Sequence, residues 1–262
     1  MTRPALHATG ISYAVRGMRL LDDVDISVAS GSVTAIIGPN GAGKSTLLGI
    51  LAGDIQPTTG SVGLGADALG SISVADLARR RSVLLQQSAV AFSYTVREVV
   101  TMGRSAWRST DDAADDEAIV ESALEQTDIV QLAGRDVTTL SGGEQARAAL
   151  ARVIAQRSPI VLLDEPTAAL DIAHQERVLE LAGELAAAGG AVAIVMHDLD
   201  AAATHADHVV ILERGRVVAA GPPADVMTSE ILSRVYAHAI DVVEHPTTGH
   251  PLVIPARTRF AR

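Results

Sequence analysis

The 262 residues contain no cysteine. That excludes a disulfide scaffold and every thiolate-based metal or nucleophilic site, and it suits a reducing compartment. Aromatic residues are scarce: one Trp, three Tyr and two Phe. Half of them, Phe92, Tyr94 and Trp107, fall within sixteen positions. No run approaches the ~18–20 apolar residues of a membrane-spanning helix. The longest candidates, such as "AAAGGAVAIVM" (186–196), read as a buried strand with its lead-in. The opening "MTRPALHATGISYAV" lacks the apolar run of a signal peptide, so the expectation is a soluble or peripheral protein. Positive charge is also in deficit, 21 Lys and Arg against 31 Asp and Glu, a net charge of −10. A surface of that sign disfavours general nucleic-acid binding, and no nucleic-acid partner is expected. What is present is 48% hydrophobic, enough at this length for one α/β domain with a subdomain, or two small domains.

Short apolar runs at 33–37, 81–85, 159–164, 191–196 and 208–212 alternate with helical patterns. That order predicts α/β architecture, a mainly parallel sheet covered on both faces. "ERGRVV" (213–218) predicts a hairpin turn at Arg214–Gly215, adding an antiparallel edge. From position 95 to 155 the pattern is helical, with "DDAADDE" (111–117) reading as a solvated loop and helix start. The reading is a core of about 1–87 and 156–235, a helical insertion of about 88–155, and a tail of about 236–262 that carries no assignable pattern.

"GPNGAGKST" (38–46) fits G-x-x-x-x-G-K-[ST] between a strand and a helix, the context in which that pattern binds phosphate. Gly38, Gly41 and Gly43 let backbone N–H groups converge on an anion at a helix start, with Pro39, Asn40, Ala42 and Thr46 completing the loop. Lys44 can reach the β- and γ-phosphates of ATP, and the Ser45 hydroxyl can ligate Mg²⁺. "IVLLDEP" (160–166) places Asp164 at the carboxyl end of a buried strand, where ligands of open α/β sheets bind. Asp164 can hold the metal, and Glu165 suits a base for an attacking water. Gln86 and His197 each follow an apolar run and are predicted on the same sheet edge, Gln86 toward metal or water and His197 toward a γ-phosphate.

"LSGGEQARAAL" (140–150) opens a helix with two glycines, where glycine is costly. Ser141 and Glu144 form an S-x-x-E capping box, which explains the serine and leaves Gly142 and Gly143 unexplained. A bare helix start with a hydroxyl beside it is an anion site. It lies about 100 residues from the first loop, and one chain carrying two half-sites suggests a dimer that shares its ligands.

In this order the segments resemble the ATP-binding-cassette (ABC) ATPases: "GPNGAGKST", the loop glutamine Gln86, "LSGGEQ", "IVLLDEP", "ALD" (169–171) and His197. The resemblance spans about residues 6–235 and implies the ABC ATPase fold, a P-loop core with a helical subdomain. It implies a head-to-tail homodimer in which Ser141, Gly142 and Gly143 close on ATP held by the other subunit, Asp171 faces that interface, Glu165 polarises water and His197 supports it. Tyr13 is the implied adenine contact, although the family's usual aromatic position looks like Val15. Two further departures are Ala168, where a serine is common, and Gln87, where a histidine is.

"ISYAVRGMRLLDDVDISV", "AFSYTVREVVTMGR", "LARVIAQ" and "HDLDAAATHADHVVILERGRVVAAGPPADVM" are most similar to importers of the iron-chelate and cobalamin group, haem importers in particular. That implies a two-copy transmembrane permease, an extracytoplasmic haem-binding protein acting through it, and a peripheral place on the cytoplasmic face of the inner membrane. Ferric-siderophore or cobalamin import is the alternative. A soluble cassette such as an iron–sulfur assembly factor is the competing class, and a nucleotide-binding scaffold without turnover is disfavoured by Glu165 and His197. The aromatic cluster suits either packing inside the helical insertion or contact with the permease.

Overall fold

In the computed structural model, which describes residues 5–85, 93–108, 110 and 114–256, each apolar run of the core forms a strand. They are β3 (Ser32–Ile37), β6 (Arg81–Leu84), β7 (Ile160–Asp164), β8 (Ala191–Val195) and β9 (His208–Glu213). All five residues of β7 and of β8 are buried, as expected of parallel strands covered on both faces. The sheet order is β10-β9-β3-β8-β7-β6, parallel throughout except for β10 (Arg216–Gly221), which returns from β9 through Arg214–Gly215 as an antiparallel edge.

Alternation along these strands divides the interior. Ile36, Leu162, Ala193 and Val210 face α1 (Lys44–Ala52) and share its Leu47, Leu48, Ile50 and Leu51. Ala35, Leu163, Ile194 and Ile211 face the opposite way, toward α6 (Ile172–Ala187), α7 (Leu199–His205) and the helices of the insertion. Those helices are α3 (Val96–Met102), α4 (Asp116–Gln126) and α5 (Gly142–Ala155); α2 (Val74–Arg80) precedes β6. Capping boxes start both α3, at Thr95 and Glu98, and α5, at Ser141 and Glu144. Within the acidic stretch, Asp116 does more than start a helix. It accepts from Arg104 Nε at 2.6 Å, and Arg104, 2% exposed, also donates to the Ala155 carbonyl and lies against the Trp107 ring.

Two regions depart from the sequence reading. The first is a second, antiparallel sheet, β2-β1-β4-β5, built from β1 (Leu6–Val15), β2 (Met18–Val28), β4 (Thr59–Leu64) and β5 (Asp67–Ala68). It covers the outer side of α1. Its period-2 signal is broken because the β1–β2 register shifts three times, between Ala8 and Ala14. The second is the tail. After α8 (Pro223–Val226) and α9 (Ser229–Tyr236), β11 (Ile240–Glu244) and β12 (Pro251–Pro255) form a separate hairpin. Among the described residues, no helix is long and apolar enough to cross a membrane.

Candidate functional site

The carboxyl ends of β3, β7 and β8 are held level by two bonds beyond the strands. Glu165 N–H donates to Val195 O at 3.2 Å, and Met196 N–H donates to Ile36 O at 3.1 Å. This brings the loop after β3, the Asp164–Glu165 pair and His197 to one edge. At this edge Asn40, Gly41, Gly43, Lys44, Ser45, Thr46, Glu165 and His197 line an open cavity of about 210 Å³.

Two of the loop's glycines are needed for close approach. A Cβ on Gly38, at φ +146°, would lie 2.2 Å from Leu212 O; one on Gly43, at φ +102°, would lie 2.8 Å from Leu20 O. Pro39 and Ala42 serve the loop's own turn, the Ala42 N–H donating to Pro39 O at 3.1 Å. Lys44 Nζ donates to Gly38 O at 2.8 Å and to Pro39 O at 3.2 Å. Burial holds its ammonium below the usual lysine range, opposed by Glu165 and Asp164. Lys44 is also the only lysine in the chain. Every other cationic side chain is an arginine, so the compact, flexible ammonium is kept for the loop.

Ser45 Oγ donates to Asp164 Oδ1 at 3.1 Å. Asp164 is 5% exposed, and burial raises its pKa; the Ser45 bond lowers it, Glu165 raises it, and Lys44 and His197 lower it. A buried carboxylate with a second carboxylate beside it, facing a hydroxyl, is a donor set that fits a hard divalent cation such as Mg²⁺. Glu165 stands at φ +50°, a left-handed conformation rarely taken by this residue type, which turns it into the cavity beside His197. His197 Nε2 and Glu165 Oε1 are hydrogen-bonded.

The helix start at 141–143 is not part of this cavity. Ser141 N–H and Oγ both donate to Glu144 Oε2 at 2.7 Å, and this holds the Glu144 carboxyl below its usual range. A Cβ on Gly142 would meet nothing within 4 Å; one on Gly143 would come 3.2 Å from Ala169 O. The capping box is therefore real, and nothing around Gly142 in this chain requires a glycine. Asp171 caps α6, accepting from His174 N–H at 3.0 Å, and His174's backbone and ring hold its carboxyl low.

Three sequence expectations are not met in this cavity wall. Gln86 lies outside the described residues, as do Gln87 and Phe92. Tyr13, on β1, is half-buried against the core and is not in the cavity wall, while Val15 is exposed near the tip of the β1–β2 hairpin. Trp107 turns inward, its indole N–H donating to Gln156 O at 2.8 Å, which favours packing within the insertion for that residue; Tyr94 remains exposed. Leu20, from β2, lines the cavity although nothing in its sequence neighbourhood marks it.

The ABC transporter family model matches residues 21–168. The Hemin import ATP-binding protein of Rhodococcus jostii is 52% identical over 252 residues, covering 96% of this chain and 86% of that protein. The Cobalamin import ATP-binding protein of Halobacterium salinarum is 42% identical over 255 residues, 97% of this chain and 64% of that protein. Among solved structures, a chain of an inward-facing metal-chelate type ABC transporter has a TM-score of 0.81 at 26% identity, covering 97% of this chain and 98% of that one. A dimeric bacterial ABC transporter cassette has a TM-score of 0.75 at 25% identity, over 83% and 98%. The ABC cassette fold expected from the sequence is the one found, and the chain belongs to the ABC transporter family as an ATP-hydrolysing, ATP-binding component.

Proposed function

We propose that this chain is the motor subunit of a haem importer, working as a homodimer beneath a separate two-copy permease. The observation that carries the cargo is the 52% identity with a hemin import ATP-binding protein over nearly the whole chain. The reading places the subunit on the cytoplasmic face of the membrane, with an extracytoplasmic haem-binding protein acting through the permease. Cobalamin import is the second reading, favoured by the relative at 42%.

In this reading the loop N–H groups and the α1 dipole hold the β- and γ-phosphates of ATP. Lys44 exchanges two carbonyl acceptors for phosphate oxygens, a stronger, charge-assisted pairing. The adenine would lie outside the phosphate cavity, and Tyr13 is the residue assigned to it in this reading. Ser45, Asp164 and Gln86 hold Mg²⁺, which when bound neutralises phosphate charge. Glu165 takes a proton from the attacking water, and His197 keeps the Glu165 carboxylate in line. The second anion site belongs to the partner's nucleotide. Gly142 and Gly143 sit in the first turn of α5, where N–H groups have no helical acceptor, and Ser141 can turn its hydroxyl from Glu144 to a phosphate. In this reading the partner docks against the open space at Gly142 and the exposed Asp171.

The test of cargo is growth of a deletion strain on haem, ferric siderophore or free iron as sole iron source. Loss of growth on haem alone is the expected result. Normal growth on haem with lost siderophore or cobalamin uptake overturns the cargo and leaves the ATPase standing.

A further inference from the structure

The tail hairpin has two outer edges, and side chains from two helices satisfy both. On the β11 edge, Ile240 N–H donates to Ser233 Oγ at 2.9 Å and Val242 N–H to Ser229 Oγ at 2.8 Å, both from α9. On the β12 edge, Val253 N–H donates to Asp200 Oδ1 at 2.7 Å, in the first turn of α7. Pro251 and Pro255 pair with Glu244 and Ile240, positions in step with Val242–Val253, where an outward N–H would need a further acceptor. Val253 and Ile240 are buried in the same core as Ala202 and Ala203 of α7. The hairpin is thus a strap tied between α9 and α7.

One end of that strap lies three residues from His197. His197 is nearly half exposed, so packing does not hold it. Its place depends on the anchors that flank it. Before it, Met196 N–H is bonded to Ile36 O. After it, Asp198 caps α7 through Ala201 N–H, and Asp200 ties that first turn to the hairpin. At the α9 end, Tyr236 is half-buried and its phenol pKa is pushed up to about 12 by burial, with a backbone hydrogen bond from Gly38 of the phosphate loop acting the other way.

We propose that Asp200 is a positioning residue for hydrolysis: by gripping Val253 it makes the C-terminal hairpin a brace that holds the start of α7, and with it His197, against Glu165. This rests on the reading of Glu165 and His197 as the hydrolytic pair. A carboxylate in the first turn of a helix also has a simpler use, favourable interaction with the dipole. The two roles separate chemically, because asparagine keeps the acceptor and loses the charge.

The experiment is steady-state ATPase kinetics and thermal melting of the full-length chain carrying Asp200→Ala, Asp200→Asn, Val253→Ala or His197→Ala. Asp200→Ala should lower kcat about 3- to 10-fold with KM for ATP changed less than about twofold, and Asp200→Asn should restore most of it. Val253→Ala keeps the backbone N–H while removing core volume, so it should lower the melting temperature and spare kcat. Unchanged kcat in Asp200→Ala, an equal loss in Asp200→Asn, or kcat falling in step with melting temperature across all variants overturns the proposal. An inactive His197→Ala beside a normal Asp200→Ala removes the brace and leaves the hydrolytic pair; a fully active His197→Ala removes both.

Discussion

The Ser45 hydroxyl donates to Asp164 Oδ1 across 3.1 Å, joining the first turn of α1 to the end of β7 over 119 residues of sequence. This bond partly offsets the burial of a carboxylate. Burial raises the Asp164 pKa, so the folded chain favours the neutral acid more than the unfolded chain does. That contribution is present at low pH and is lost as pH rises through the raised folded value. Asp164→Asn should therefore raise the urea midpoint of the nucleotide-free protein near neutral pH. The gain should shrink as pH falls into the carboxylate range, while the Mg²⁺ dependence of nucleotide binding weakens. Ser45→Ala should do the reverse, costing about 1 kcal/mol near neutral pH. Urea titrations across pH read both signs, and a destabilised Asp164→Asn would contradict the electrostatics.

Glu165→Gln should retain ATP binding and lower turnover about 10²-fold or more, because an amide cannot accept the proton of the attacking water. The variant should accumulate as an ATP-bound dimer in size-exclusion chromatography. Turnover near the wild-type rate would remove Glu165 as the base.

The two glycine sites should respond oppositely. Gly38→Ala drives a Cβ into Leu212 O at a positive φ and should cost about 3 kcal/mol of stability. Gly142→Ala meets open space in a helix start and should stabilise the isolated chain by up to about 1 kcal/mol. Its ATPase activity should nevertheless fall, since the added methyl stands where the partner's phosphate approaches. Denaturation midpoints and ATPase rates on the same samples decide it; full activity in Gly142→Ala would mean that this helix start docks nothing.

The sequence by itself carried the parallel core and the chemistry of its edge. Fully buried strands write continuous apolar runs, and a phosphate loop must place glycine, lysine and serine at fixed intervals because its backbone wraps one anion. Lys44, Asp164, Glu165 and His197 were readable for that reason, Lys44 opening the helix after a strand and the other three at or just past a strand's carboxyl end. The antiparallel sheet was not readable. Its three register shifts interrupt the alternation that would announce a strand. The tail hid its hairpin behind prolines that sit harmlessly on outward positions. Leu20 reached the cavity only through the packing of β2 on the loop, which leaves no local mark. The meeting of Glu165 with His197, and the tie from Asp200 to Val253, belong wholly to tertiary structure. Such contacts join residues 32 and 53 positions apart, and no local periodicity encodes which strand ends a fold will bring level or which helix it will strap to its tail.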